Sequence, residues 1–282
     1  MHFGCKAYMI PNRMIRQERD EVMRLFDTHA HYYDERFDPD RDEVLSALPS
    51  KRVKRVVCPG CDLASSRQSM ALAEQYPFFY FAAGLHPENL EGAALSDLDE
   101  IEKLCAHPKC VAVGEIGLDY YWVKDPEERK NSQKFFHAQL ELAQRLDLPA
   151  VVHDRDAHRD TLDIVKAHPG ARGVFHCCAL SAEDAREAVK LGWMVSFTGN
   201  VTFPKARRAL EVIADLPLER IMIETDAPYM APEPFRGKRC DSGYVYRVAE
   251  TIAQVKGISA EAAAEATFQN GLKFFRLEEK EL

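Results

Sequence analysis

The segment 25–31, which reads LFDTHAH, decides the fold class of this chain. A short apolar run leads directly into two histidines that are separated by one residue. In an extended chain residues i and i+2 point the same way, so we expect His29 and His31 to act together at the end of a first strand. A doubly wound open sheet, the alternative fold, would normally carry a glycine-rich phosphate loop after its first strand, and this segment has none.

The same pattern, a short apolar run followed by an amphipathic helical stretch, recurs along the chain. The predicted strands are 24–28, 53–58, 78–84, 110–114, 148–153, 172–176, 193–197 and 220–224. The predicted helices are 65–76, 98–107, 127–146, 157–167, 182–191, 206–216, 245–255 and 260–275. Eight strands with helices between them over about 250 residues predict an α/β fold, a single-domain (β/α)8 TIM barrel.

Residues 1–23 are predicted to be an N-terminal extension, and residues 24–282 to form the (β/α)8 barrel domain. The extension lacks the apolar core and the small-residue cleavage site of a secretion signal. Met23 directly precedes the first strand and could be the natural start. Two interpretations therefore stay open, a segment that packs on the barrel and an over-long start.

Charge and cysteine content restrict the function class. The chain has a net charge of −8, which argues against broad attraction to nucleic acid, although bound cations would reverse the field inside a site. Eight cysteines without a secretion signal predict reduced thiols in a cytoplasmic protein. Cys58 and Cys61 have redox-motif spacing, but we interpret them as two reduced thiols on a turn. No long apolar stretch predicts a membrane span, and we expect a monomer or a weak oligomer.

Six residues of metal-ligand type fall at the ends of predicted strands, which in a barrel converge on one face. They are His29, His31, Glu115, His153, His176 and Asp226. Four histidines and two carboxylates suit Mg²⁺, Mn²⁺ or Zn²⁺, and six ligands are enough for two ions if Glu115 bridges them. Asp226 could also accept a proton, and Glu224 could assist unless it faces outward.

At these residues the chain resembles the TatD-family metal-dependent deoxyribonucleases, a branch of the amidohydrolase-type barrels. The segments that carry the resemblance are LFDTHAHYYD (25–34), GLHPE (84–88), VAVGEIGLDYY (111–121), LPAVVHDRDA (148–157), GVFHC (173–177), WMVSFTGNVTF (193–203) and IMIETDAPYMAPEPFRGKR (221–239). The resemblance implies the same six ligands, two divalent cations, and hydrolysis of DNA as a 3′-directed exonuclease, with RNA as a possible further substrate.

The resemblance also indicates where the substrate would bind. It implies that His86 contacts a substrate phosphate, although a neutral histidine packed against Pro87 is the alternative. Arg155 is a plausible partner in this task, or it pairs with Asp154 or Asp156. Three cations after the last strand, Arg236, Lys238 and Arg239, could hold the nucleic-acid backbone.

The chain departs from the family pattern at two places that concern substrate choice. Cys240-Asp-Ser stands where the family usually has Asn-Glu/Gln-Pro, and Cys178 stands where it usually has an aromatic residue. The alternative function is hydrolysis of an ester or amide, for example by a D-aminoacyl-tRNA deacylase. Related dinuclear barrels often use a carboxylated lysine as the bridge, so Glu115 weakens the cyclic-amide and lactone versions. A non-catalytic scaffold is the third hypothesis, and the intact ligand set argues against it.

Overall fold

A computed structural model describes residues 23–279 as eight parallel strands arranged in chain order around a barrel. The strands are β1 (Leu25–Asp27), β2 (Val53–Pro59), β3 (Phe79–Ala83), β4 (Cys110–Asp119), β5 (Ala150–Arg155), β6 (Gly173–Phe175), β7 (Met194–Phe197) and β8 (Ile221–Ile223). The helices are α1 (Arg41–Ala47), α2 (Leu63–Gln75), α3 (Leu98–Cys105), α4 (Pro126–Arg145), α5 (His158–Ala167), α6 (Ala182–Lys190), α7 (Arg207–Asp215), α8 (Tyr246–Lys256) and α9 (Ala260–Phe275). The predicted fold class is confirmed.

The predicted N-terminal extension, residues 1–23, lies outside the described residues except for Met23, which is buried. Short 3-10 turns connect several elements, and none of the described helices is long and apolar enough to cross a membrane. Helix α1, between β1 and β2, was not predicted.

Closure of the barrel between β8 and β1 depends on a few contacts beyond the strand ends. The Thr28 amide donates to the Ile223 carbonyl at 3.2 Å, and Ala30 forms a parallel bridge with Ala227. These contacts bring the segment after β1 against the segment after β8. The predicted ligands on the two segments are adjacent for this reason.

Apolar side chains fill the interior of the barrel at its amino-terminal end. One buried cluster takes residues from all eight strands and packs against α9. Phe26 of β1 contacts the rings of Phe268 and Phe275 at 6.2 and 5.8 Å between centroids. Because apolar residues fill this end, the polar residues at the strand ends collect at the carboxyl-terminal face, as in other barrels of this class.

Strand β4 is longer than predicted, and its extra length positions Glu115. The prediction ended the strand at residue 114, whereas the strand continues to Asp119 with a register shift between Val113 and Ile116. Such an irregularity redirects a side chain, and here it lies at Glu115. The next residues approach β5 closely: a Cβ at Gly117, where φ is +134°, would lie 2.0 Å from the His153 carbonyl oxygen.

Candidate metal centre

Asp27, at the end of β1, ties the loops after β1 and β8 together. It is fully buried and accepts hydrogen bonds from the Thr225 amide at 2.9 Å and the Thr225 hydroxyl at 2.5 Å. The His29 amide approaches the same carboxylate at 3.3 Å, and the Asp226 amide donates to the His29 carbonyl at 2.9 Å. Burial raises the pKa of Asp27 to about 7 despite these hydrogen bonds. The two loops, and the ligand candidates on them, are thereby fixed against each other.

His29, His31 and Asp226 form the first group of donors. The Nε2 atoms of the two histidines lie 3.0 Å apart, and Asp226 Oδ1 lies 3.2 Å from His31 Nε2 and 3.8 Å from His29 Nε2. On its other side, His31 Nδ1 lies 3.0 Å from the Tyr33 hydroxyl. Two imidazole nitrogens and a carboxylate oxygen therefore converge in the protein interior.

His153 and His176 form the second group, on the opposite side of Glu115. His153 Nδ1 and His176 Nε2 lie 3.0 and 2.8 Å from Glu115 Oε1, and 3.4 Å from each other. The other nitrogen of His153 lies 2.9 Å from Asp119 Oδ2. Burial opposes a charge on His153, but the hydrogen bonds to Asp119 and Glu115 raise its pKa to about 9. The His29 and His176 rings stack at 3.9 Å, which joins the two groups.

Glu115 lies between the two groups with one carboxylate oxygen facing each. Oε2 is 3.2 Å from His29 Nε2 and 3.5 Å from His31 Nε2, whereas Oε1 faces His153 and His176. The side chain is 4% exposed. Burial disfavours its charge, but the surrounding histidines, His176 foremost, hold the pKa of Glu115 well below its usual range. Glu115 is therefore a buried carboxylate that both histidine pairs approach.

The donor set fits divalent cations. Nitrogen atoms that face each other at 3.0 Å cannot both carry a proton, and a shared cation satisfies both lone pairs. Two triads, each with donor atoms within 4.8 Å of one another, are His29–His31–Asp226 and Glu115–His153–His176. The structure thus brings all six predicted ligands together, and each triad is large enough to hold one cation.

Glu224 does not face outward. Its side chain is buried and accepts hydrogen bonds from the Cys177 amide at 2.6 Å and from the Ser196 hydroxyl at 2.6 Å. The oxygen that faces Cys177 also lies 3.3 Å from His176 Nδ1. Both carboxylate oxygens are engaged behind His176, so the geometry suits a residue that orients His176 better than one that meets substrate.

His86 lies against the metal centre and not simply against Pro87. Its Nδ1 accepts a hydrogen bond from the Glu88 amide at 3.2 Å, which leaves its proton on Nε2. Nε2 lies 3.4 Å from Glu115 Oε1. Burial lowers the pKa of His86, so the ring is a neutral donor aimed at the centre.

A cavity of about 500 Å³ opens over these residues. Its lining includes His31, His86, Glu115, His153, His176 and Asp226. Trp122 and Tyr229 also line it, and these residues are 59% and 47% exposed. These rings are placed where a ligand in the cavity could stack against them.

Arg155, predicted to contact substrate or to pair with an aspartate, lines this cavity and stacks on aromatic rings. Its guanidinium carbon lies 4.1 Å from the ring centre of Tyr121 and 5.8 Å from that of Trp122. Asp154 instead accepts hydrogen bonds from His158 and Thr161 at 2.7 and 3.1 Å. The guanidinium edge of Arg155 is therefore not held by Asp154.

The three cations of the loop after β8 differ in their surroundings. Arg239 forms a two-pronged ion pair with Asp40 at 2.6 and 2.7 Å, which anchors the loop to the start of α1. Arg236 lies over the Phe203 ring at 4.5 Å, and Lys238 is exposed. None of the three lines the cavity over the metal centre. Arg236 alone of the three lines a neighbouring cavity.

Sequence reasoning missed two carboxylates that support the ligands, Asp27 and Asp119. Each stands at an even spacing from a predicted ligand, two residues before His29 and four after Glu115. Because even spacing along a strand places side chains on one face, that spacing was the signal available. Whether such a carboxylate would bind metal or orient a ligand depends on the register between strands.

The cysteines near the site are free thiols among the described residues. Cys58 is buried in the barrel wall, whereas Cys61 lines the cavity with its sulfur 3.9 Å from Glu115 Oε2 and 3.1 Å from the Tyr33 hydroxyl. Cys178 and Cys240, the two departures from the family pattern, are both buried. Neither residue lines the cavity over the metal centre, whereas Cys178 lines the neighbouring cavity.

Several known proteins are similar in sequence to this chain over most of its length. A family model described as TatD related DNase matches residues 26–276. The metal-dependent hydrolase YabD of Bacillus subtilis is 41% identical over 256 residues, which cover 90% of this chain and 99% of the relative. A relative from Escherichia fergusonii, named 3′-5′ ssDNA/RNA exonuclease TatD, is 33% identical over 87% of this chain and 96% of its own length.

A solved structure is similar over the same region. The crystal structure of YjjV, a TatD homologue from Escherichia coli, superposes with a TM-score of 0.85 at 31% identity, covering 91% of this chain and all of that one. The sequence and structural matches therefore cover the whole barrel.

Proposed function

The chain belongs to the family of TatD related DNases, which are metal-dependent hydrolases, and we propose that it cleaves phosphodiester bonds of DNA with two divalent cations. We further propose that it removes nucleotides from the 3′ end of single strands and accepts RNA as a second substrate. The named exonuclease among its relatives, which aligns over 96% of its own length, supports this choice of substrate.

The observation that carries the proposal is the position of Glu115. A carboxylate with each oxygen within 3.5 Å of two histidine nitrogens has the arrangement of a bridge between two ions. The ions would be Mg²⁺, Mn²⁺ or Zn²⁺, held by His29, His31 and Asp226 on one side and by His153 and His176 on the other. When bound, such a pair lowers the pKa of water and stabilises the charge of the entering and leaving oxygens.

The chain's own residues supply proton transfer and orientation. Asp226 lines the cavity with its side chain 14% exposed, so it can both bind a cation and accept a proton from water. His86 is neutral and holds its proton on Nε2, so it can donate to a phosphoryl oxygen that enters the cavity. Glu224 and Asp119 hold His176 and His153 in the orientations that direct their other nitrogens at Glu115.

The rim of the cavity favours a nucleic-acid chain over a small ester. Aromatic rings and arginines bind single strands by stacking with the bases, and this cavity has exposed Trp122 and Tyr229 at its mouth. Arg155, stacked on Tyr121, presents its guanidinium at the same opening. A phosphate that reaches the metal centre would therefore leave its neighbouring bases against these rings.

We also propose that the protein acts in the cytoplasm as a monomer or a weak oligomer. The described cysteines are all free thiols, which is the state expected in a reducing compartment.

The test is hydrolysis by purified protein loaded separately with Mg²⁺, Mn²⁺ or Zn²⁺. Substrates are single- and double-stranded DNA and RNA labelled at the 3′ or 5′ end, with p-nitrophenyl esters, lactones and D-aminoacyl-tRNA as alternatives. We expect stepwise loss of nucleotides from the 3′ end of single strands. Cleavage of the esters or of D-aminoacyl-tRNA without cleavage of nucleic acid, at full metal occupancy, would overturn the proposal.

Variants of the ligands check that the reaction uses this centre. His29→Ala and Glu115→Ala are expected to lose bound metal and activity together. His107→Ala removes a histidine outside the donor groups and is the matched control. Unchanged metal content and turnover in the two ligand variants would contradict the ligand assignment.

A further inference from the structure

A second cavity of about 510 Å³ adjoins the cavity over the metal centre. The two cavities share Ala179 and Asn200 in their walls. The second one extends from there along the loop after β7 to the first turn of α7. A strand that has one phosphate at the metal centre would therefore find this cavity next to it.

The lining of the second cavity is basic. Lys205, Arg208 and Arg236 contribute to it, and none of the aspartates or glutamates among residues 23–279 does. This contrasts with the chain as a whole, in which 45 acidic residues outnumber 37 basic ones. A concave surface lined only by positive charges raises the local concentration of anions.

The cations of this lining are available to a ligand. Within the described residues, the side chains of Lys205 and Arg208 form no ion pair or hydrogen bond. Arg207, the neighbour of Arg208, does not line the cavity and instead pairs with Glu211 at 2.8 Å. The Arg236 guanidinium carbon lies 4.5 Å from the Phe203 ring centre, a contact with the ring face that does not use the N–H donors of the guanidinium.

We propose that the second cavity binds the backbone phosphates of the nucleic-acid strand next to the bond that is cleaved. The inference rests on the proposed function and adds Lys205 and Arg208 to Arg236, which the sequence already suggests as a backbone contact, as the residues that select a chain over a mononucleotide. Lysine and arginine side chains that meet phosphates fix the position of a strand without reading its sequence. The cavity therefore increases the affinity of the protein for longer strands and does not select a particular base.

The experiment compares Arg208→Ala with Arg207→Ala, which remove the same charge from neighbouring positions inside and outside the lining. Binding of fluorescent single-stranded phosphorothioate oligonucleotides, from a dinucleotide to a decanucleotide, is measured by anisotropy with Mn²⁺ present. Lys205→Ala/Arg208→Ala is expected to raise the Kd of the decanucleotide about tenfold and to flatten its log–log salt slope by about 1.4, since each phosphate contact on a single strand contributes about 0.7. The loss is expected to grow with probe length.

The controls separate a failure of this inference from a failure of the proposed function. Equal weakening by Arg207→Ala and Arg208→Ala, or equal binding by the double variant and the parent protein, overturns the second cavity as a subsite, even if the parent hydrolyses DNA. Competition by inorganic phosphate as effective as that by the decanucleotide would likewise overturn a site for a strand. A parent protein that neither binds nor hydrolyses nucleic acid refutes the proposed function, and this inference with it.

Discussion

Gly117 determines how closely β4 approaches β5, and replacing it by alanine should damage both stability and metal binding. Its φ of +134° lies in a region that alanine avoids, which costs about 1–3 kcal/mol. The new Cβ would lie 2.0 Å from the His153 carbonyl oxygen, about 1 Å inside the closest contacts of real Cβ atoms. Forcing such a contact costs about a further 1–3 kcal/mol, so we expect Gly117→Ala to lower the free energy of unfolding by about 2–6 kcal/mol.

The displacement also reaches the metal centre. The two strands must separate at His153, whose Nδ1 lies 3.0 Å from Glu115 Oε1. We therefore expect Gly117→Ala, in the fraction that still folds, to bind Mn²⁺ more weakly than the parent protein. Urea unfolding of the metal-free protein measures the first effect, and calorimetric Mn²⁺ titration measures the second.

Gly92 provides the matched control. Its φ is +72°, but a Cβ there would meet no atom within 4 Å. Gly92→Ala should therefore cost only about 1 kcal/mol from the backbone and leave Mn²⁺ affinity unchanged. If both variants lost the same free energy of unfolding, the close approach of β4 and β5 would not be the reason for a glycine at position 117.

Three further outcomes are expected from residues around the site. Asp119→Asn removes the charged acceptor that orients His153 and should weaken metal binding about 10- to 100-fold, and an unchanged Mn²⁺ isotherm would count against this role. Glu224 acts through His176, so Glu224→Gln should weaken metal binding and activity together. A loss of kcat at unchanged metal affinity would instead identify Glu224 as a proton acceptor. The hydrogen bond to Asp154 raises the pKa of His158. The stabilisation that this pair gives the fold is therefore fully present below about pH 6.5, and it is lost as the pH rises through the raised pKa of His158. In urea unfolding, His158→Gln should therefore cost more stability at about pH 5.5 than at about pH 9, and equal costs would contradict the ion pair.

The barrel could be predicted from the sequence because its strands are short apolar runs with ligand residues at their ends. The prediction was wrong where a strand is polar. Glu115 to Asp119 continue β4, yet the segment contains two carboxylates and Gly117, a composition that reads as a loop. Helix α1 was missed because a charged stretch of seven residues has a weak apolar period, with Leu45 as its one buried residue.

The six ligand candidates were predictable because each stands at a strand end, whereas the roles of their neighbours depend on contacts between distant segments. The anchor between Arg239 and Asp40 joins residues 199 positions apart, so sequence could not separate it from a substrate contact. The inward position of Glu224 depends on Ser196 in the neighbouring strand. The basic lining of the second cavity likewise joins two loops that the sequence keeps apart.

Anomalous diffraction from crystals of the Mn²⁺-loaded protein tests the arrangement in which two cations share Glu115. We expect two manganese peaks about 3.5–4 Å apart, one beside each oxygen of Glu115. His29, His31 and Asp226 should surround one peak, and His153 and His176 the other. A single peak at full Mn²⁺ saturation, or two peaks without Glu115 between them, would contradict it.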